Sequence, residues 1–126
     1  MSMLQSHKVD FRILDRADVP IVTHAAGATI VSKGEPAHEM FLLRKGRVAI
    51  QLGGETIEEI APGGIFGEMA LIDHAPRSAA AVALEDSEII PIDERLFFIL
   101  VQDAPYFALD VMRVLTDRIR NMNQRL

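Results

Sequence analysis

Phe66-Gly67-Glu68-Met69-Ala70-Leu71-Ile72-Asp73-His74-Ala75-Pro76-Arg77-Ser78-Ala79-Ala80 is the stretch around which this chain is organised, and Pro62, Gly63 and Gly64 stand just before it. Gly67 permits a sharp exit from a strand, and Glu68 to Ile72 favours one or two turns of helix. The free N–H groups at the start of such a helix point back at the glycine and offer an anion a site. Arg77 follows a proline and opens a new apolar strand, so its planar fork can close on the same anion. Ser78 adds a hydroxyl beside it. An anion nest that also holds a carboxylate suits a ligand with both phosphate and hydroxyls, which describes a sugar phosphate or a nucleotide.

Upstream, Ile21 to His24, Ala28 to Val31, Glu39 to Leu43, Arg47 to Leu52 and Glu55 to Ile60 read as short strands. Each is β-branched or alternating and is bounded by Gly, Pro or a charged turn. Leu52-Gly53-Gly54-Glu55 is a hairpin connection, and Arg44-Lys45-Gly46 is another bend. Downstream come Ala79 to Leu84 and Glu88 to Ile92. Closely spaced antiparallel strands with no helix between them predict a β-sandwich or jelly-roll barrel over about 20–92. Asp93 is the expected N-cap of a helix over 93–103, which Ala104-Pro105 breaks. A longer helix is expected over 106–126. The start, Met1 to Lys8, reads as a loose end, and Val9 to Val19 suits either an extended arm or a helical turn.

In the last helix Ala108, Met112, Leu115, Ile119, Met122 and Leu126 recur with a period of about 3.5 residues, a heptad seam. A second stripe, Phe107, Val111 and Val114, is left to pack on the preceding helix or the barrel.

The 126 residues make one domain, large enough for a core but not for two. A formal charge of −5 argues against a nucleic-acid-binding surface, which needs clustered Lys and Arg. The absence of cysteine excludes disulfide and thiolate chemistry. No apolar run reaches signal-peptide or membrane-spanning length, so a cytoplasmic protein is expected.

Gly67-Glu68-Met69-Ala70-Leu71 followed by Pro76-Arg77-Ser78-Ala79 resembles the phosphate-binding cassette of cyclic-nucleotide-binding domains. That is the family of the catabolite activator protein and the regulatory subunits of cyclic-AMP-dependent kinase. Gly34-Glu35, Met40 to Gly46 and Pro62-Gly63 match its flanking landmarks, and the resemblance covers roughly residues 20–122. It implies a mainly β jelly-roll barrel with C-terminal helices and a cassette at 66–80. It further implies a non-catalytic sensor with no cofactor, whose ligand is cyclic AMP or cyclic GMP. The family's roles carry over as Arg77 and Ser78 on the phosphate, with the backbone of Gly67, Met69, Ala70 and Ala79 around it. Glu68 falls on the ribose 2′-hydroxyl. Ser78, where a threonine is associated with cyclic GMP, leans towards cyclic AMP. Val48 and Ile50 or their neighbours are expected along the base, and Asn123 or Arg118 as its lid; the ordinary alternative for both of these is a solvated helix face.

The resemblance also implies a homodimer through the last helix, with an effector protein the sequence does not name. Because the chain stops within that helix, no reading head and no direct DNA binding are expected. Two alternatives stand beside this reading. One is a ligand-free domain of the same fold acting in protein interaction or dimerisation. The other is a cupin-type metal enzyme, which His7, His24, His38 and His74 fit poorly because no two form a ligand pair. His24 is expected on a strand and His38 in a loop.

Overall fold

Residues 39–43 are apolar at almost every position, the pattern of a strand covered on both faces. The computed structural model, which describes Met3–Leu4 and residues 19–125, shows this to be so. Strand β4 (Glu39–Lys45) turns Met40 and Leu42 to one side and Phe41 and Leu43 to the other, and all four are buried. One sheet has the order β2 (Val22–His24), β9 (Ser87–Asp93), β4, β7 (Ile65–Phe66). The other runs β1 (Met3–Leu4), β6 (Glu55–Ile60), β5 (Val48–Leu52), β8 (Ala80–Ala83), β3 (Thr29–Val31). Both sheets are antiparallel except where β1 lies parallel to β6.

Between the sheets lie Val31, Phe41, Leu43, Val48, Ile60, Phe66, Ala81 and Ile89. On the outer face of the four-stranded sheet, Met40, Leu42, Ile65, Ile90 and Ile92 meet Leu100, Phe107, Val111 and Val114. The last four belong to α2 (Glu94–Asp103) and α3 (Tyr106–Arg125). The architecture is thus the expected barrel of short strands with C-terminal helices, the helices packed on one wall. Asp93 caps α2 as its sequence suggests, its carboxylate accepting from the Leu96 amide at 2.8 Å.

Several boundaries differ from the sequence reading. Two strands were not foreseen, β1 and β7. Each has two residues, too few for alternation to register, and β7 exists because Phe41 and Leu42 pair with Phe66 and Ile65. The expected loose end is described only at Met3–Leu4, where it is a paired strand. The expected arm or turn over 9–19 lies outside the described residues except for buried Val19.

In the last helix the second stripe packs on the barrel as expected, while two positions of the heptad seam sit differently. Phe107, Val111 and Val114 are the buried stripe, and Leu115 packs against the same cluster. The exposed line is instead Leu109, Met112, Thr116 and Ile119, so Met112 and Ile119 stay in the seam while Ala108 and Leu115 leave it for half-buried positions. The Met122 side chain and Leu126 lie outside the described residues. The seam narrows because the face packed on β4 and β9 is wide enough to take in Leu115 beside Phe107, Val111 and Val114.

Candidate functional site

The cassette is held to β4 from both ends. Leu43 donates to Gly64 O at 2.9 Å and accepts from Gly63 N at 2.8 Å, so the Pro62-Gly63-Gly64 turn is clamped to the middle of the barrel. Gly67 then takes a φ of +71°, which frees the chain from β7 and starts a one-turn helix, α1 (Met69–Ile72). After it, the Asp73 carboxylate accepts from Ala75 N at 2.9 Å, a local turn that sends the chain back towards Arg77. The Arg77 backbone is fixed by the Gly34-Glu35 landmark: Arg77 N donates to Glu35 O at 2.9 Å and Gly34 N to Arg77 O at 2.8 Å. That pair of bonds is the physical use of a motif the sequence offered only as a marker.

From there the Arg77 side chain enters the molecule. Its Nη2 donates to Glu39 O at 2.8 Å and its Nη1 to Gly67 O at 3.2 Å. The guanidinium lies 5.0 Å from the Phe41 ring centroid, and Phe41 in turn stacks on Phe66 at 5.1 Å. Among the described residues Nε is buried without a hydrogen-bond partner. Burial lowers the arginine's pKa, opposed by the Glu39 and Glu35 carboxylates. A cavity of about 320 Å³ reaches Arg77 from β2 and β3, walled by Val31, Phe41 and Ile89 and rimmed by His24, His38 and Glu35. Glu68, Ser78 and Arg118 take no part in that wall.

Glu68, one residue beyond the carbonyl that Arg77 holds, is 3% exposed. A carboxylate so deep needs a partner, and it has one in Arg118 of α3, whose Nη1 pairs with Glu68 Oε1. Arg118 also donates from Nε to Glu58 Oε1 at 3.2 Å and from Nη2 to Ile65 O at 2.7 Å. Glu58 stands directly across β5 and β6 from Ile50, on the same face. The two halves of the site therefore meet at Gly67: a cation with an unused donor on one side, a carboxylate–guanidinium–carboxylate chain on the other.

Of the residues singled out by sequence, Gly67, Glu68 and Arg77 come together here. Arg118 is no solvated helix residue but the tie between α3 and the cassette. Asn123 is exposed. Ser78 is exposed and Ala79 half-buried beside Arg77, while Met69 is half-exposed at 51%. Two expected contacts sit differently. The Ala70 amide already donates to Gly67 O at 3.2 Å and the Leu71 amide to Glu68 O at 3.1 Å, because one turn of helix turns them inwards. Val48 is fully buried among the inner apolar side chains, and half-buried Ile50 is the one of that pair with surface to offer.

Sequence reasoning missed Glu58. Thr56, Glu58 and Ile60 alternate on one face of β6, and a carboxylate in a row that ends in a buried isoleucine was the available signal.

Comparison with known proteins places the chain in one family. The chain is 32% identical over 105 residues to the cyclic AMP receptor protein of Thermus thermophilus, covering 79% of this chain and 49% of that one. It is 36% identical over 76 residues to a cAMP-dependent protein kinase regulatory subunit of Colletotrichum orbiculare, covering 59% and 19%. The crystal structure of the Thermus thermophilus catabolite activator protein superposes with a TM-score of 0.74 at 29% identity, over 85% of this chain and 53% of that one. The chain thus spans about half the length of the first relative and about a fifth of the second. Residues 21–104 match the cyclic nucleotide-binding domain, and the chain belongs to that family.

Proposed function

We propose that this cyclic nucleotide-binding domain holds a 3′,5′-cyclic nucleotide, cyclic AMP in preference to cyclic GMP, and acts as a sensor without catalysis. The observation that carries this reading is the Arg77 side chain. A half-buried guanidinium whose Nε is shielded from water with no partner among the described residues is costly, and an incoming phosphate would satisfy the arginine with a charge-assisted bond. The Ser78 hydroxyl and the Ala79 amide follow Arg77 directly and complete the anion's surroundings. Glu68, an acceptor on the other side of Gly67, takes the ribose 2′-hydroxyl, and Ile50 offers apolar surface to the base. The choice of adenine rests on Ser78.

Arg118 supplies the route outwards. It is the residue of α3 that touches the ribose acceptor, so a change at Glu68 is felt by the helix. The exposed line of Leu109, Met112, Thr116 and Ile119 is the surface through which a second copy pairs, and an effector reads the position of the helices. Among the described residues no three His, Asp or Glu side chains are grouped to hold a metal, and no helix is long and apolar enough to cross a membrane.

Calorimetric titration with cyclic AMP and cyclic GMP, run beside Arg77→Ala, tests the reading. Saturable binding at one nucleotide per chain that collapses in the variant is expected. A folded wild type that takes up neither nucleotide would overturn it.

A further inference from the structure

Arg118 distributes its donors unequally. The side-on fork, Nε with Nη2, faces Glu58: Nε lies 3.2 Å from Oε1 and Nη2 3.4 Å from Oε2. Nη2 is further pinned to Ile65 O at 2.7 Å. Only Nη1 is left for Glu68. A guanidinium binds a carboxylate most strongly through two parallel N–H groups, so the acid that occupies the fork decides how much of the cation the other acid receives. Glu58 occupies it, and Glu68, though far more deeply buried, receives a single nitrogen.

We propose that Glu58 is a positioning residue: it holds Arg118, and with it α3, against the barrel, and keeps the fork off Glu68 so that Glu68 can accept a ligand hydroxyl. The proposal rests on the cyclic-nucleotide reading of Glu68 for the hydroxyl, and on the three-residue geometry alone for the latch. In Glu58→Gln the fork loses its charged partner while the amide keeps the size of the side chain. Arg118 then turns its fork to Glu68, the only other carboxylate it touches among the described contacts. Both Glu68 oxygens become engaged, and the bond between α3 and β6 is lost. Arg118 is thus kept in a state where it touches the ribose acceptor without capping it.

Two measurements on the intact chain test this. The first needs no ligand: amide hydrogen exchange of α3 on both sides of Arg118, in wild type and Glu58→Gln. Faster exchange in the variant, partly restored in Glu58→Asp, is expected; equal protection would overturn the latch. The second compares the affinities of cyclic AMP and 2′-deoxy cyclic AMP. The wild type should prefer the hydroxyl by roughly tenfold or more, the worth of one hydrogen bond to a charged group. In Glu58→Gln that preference should fall towards parity, whereas loss of support alone would weaken both nucleotides equally. An unchanged preference would overturn the hydroxyl role. Failure of the wild type to bind either nucleotide would instead overturn the nucleotide reading and the hydroxyl role with it, and the exchange experiment would still decide the latch.

Discussion

The guanidinium of Arg77 fills the space that a side chain at position 67 would need. A Cβ built on Gly67 would lie 2.5 Å from Arg77 Nη1 and 3.4 Å from Phe41 Cδ2. The glycine is therefore required twice, once for its φ of +71° and once for the cation packed against it. This contact joins the two halves of the site, since the residue whose Cα bears on Arg77 is followed by the one that meets Arg118.

Gly67→Ala is expected to do more than strain a turn. The left-handed backbone costs an L-residue about 1 kcal/mol, and the methyl displaces Nη1 from Gly67 O. Nucleotide affinity should fall at least as much as stability does. Urea unfolding and calorimetry on the same preparation check this, and full affinity in the variant would show that Arg77 does not need its seat.

Arg77→Lys keeps the charge and removes the fork. A lysine can reach one of the two carbonyls, Glu39 O or Gly67 O, and has no equivalent of the unpartnered Nε. Affinity for a cyclic nucleotide should drop by about 2 kcal/mol, the scale of a charged hydrogen bond. Titration against the wild type measures it; equal affinity would mean that point charge alone holds the anion.

Met112 and Ile119 stand seven residues apart on α3 at 54% and 60% exposure. If a second copy covers them, Ile119→Asp should convert a dimer to a monomer in sedimentation equilibrium, and Met112→Asp should do the same. Buried Val114 on the opposite face is the contrast, because its replacement should lower stability without changing the mass of the folded protein. A wild type that sediments as a monomer would defeat the pairing.

Phe107 is fully buried and lies 5.6 Å from Phe97, ring to ring, at the junction of α2, α3 and the outer sheet face. Phe107→Ala should cost about 3–5 kcal/mol in urea unfolding, a cavity cost that neither helix can close alone. A much smaller loss would mean that the helices are only loosely seated on β4 and β9.

Much of this molecule was legible one residue at a time. The strands between Val22 and Asp93 appear because short β-branched runs lie between Gly and Pro turns, and the cap at Asp93 because its side chain needs only the amide three residues on. Gly67, Glu68 and Arg77 announced themselves by type and spacing. What stayed hidden were contacts between distant residues: Ile65–Phe66 as a strand, Glu39 O and Phe41 around the arginine, and Glu58 as the partner of Arg118.

The α3 seam shows the same division. Its period fixed the helix and its amphipathic character, because periodicity is a property of the chain itself. How wide the inward face is depended on where Met40, Leu42, Ile90 and Ile92 stand, fifteen residues or more away, and only packing could add Leu115 to the stripe of Phe107, Val111 and Val114. In the same way the sequence determined that a carboxylate and an arginine flank a turn. The tertiary structure alone decided that one acid is shared, through Arg118, with a strand ten residues earlier, because a buried charge takes its partner from whatever the fold brings within reach.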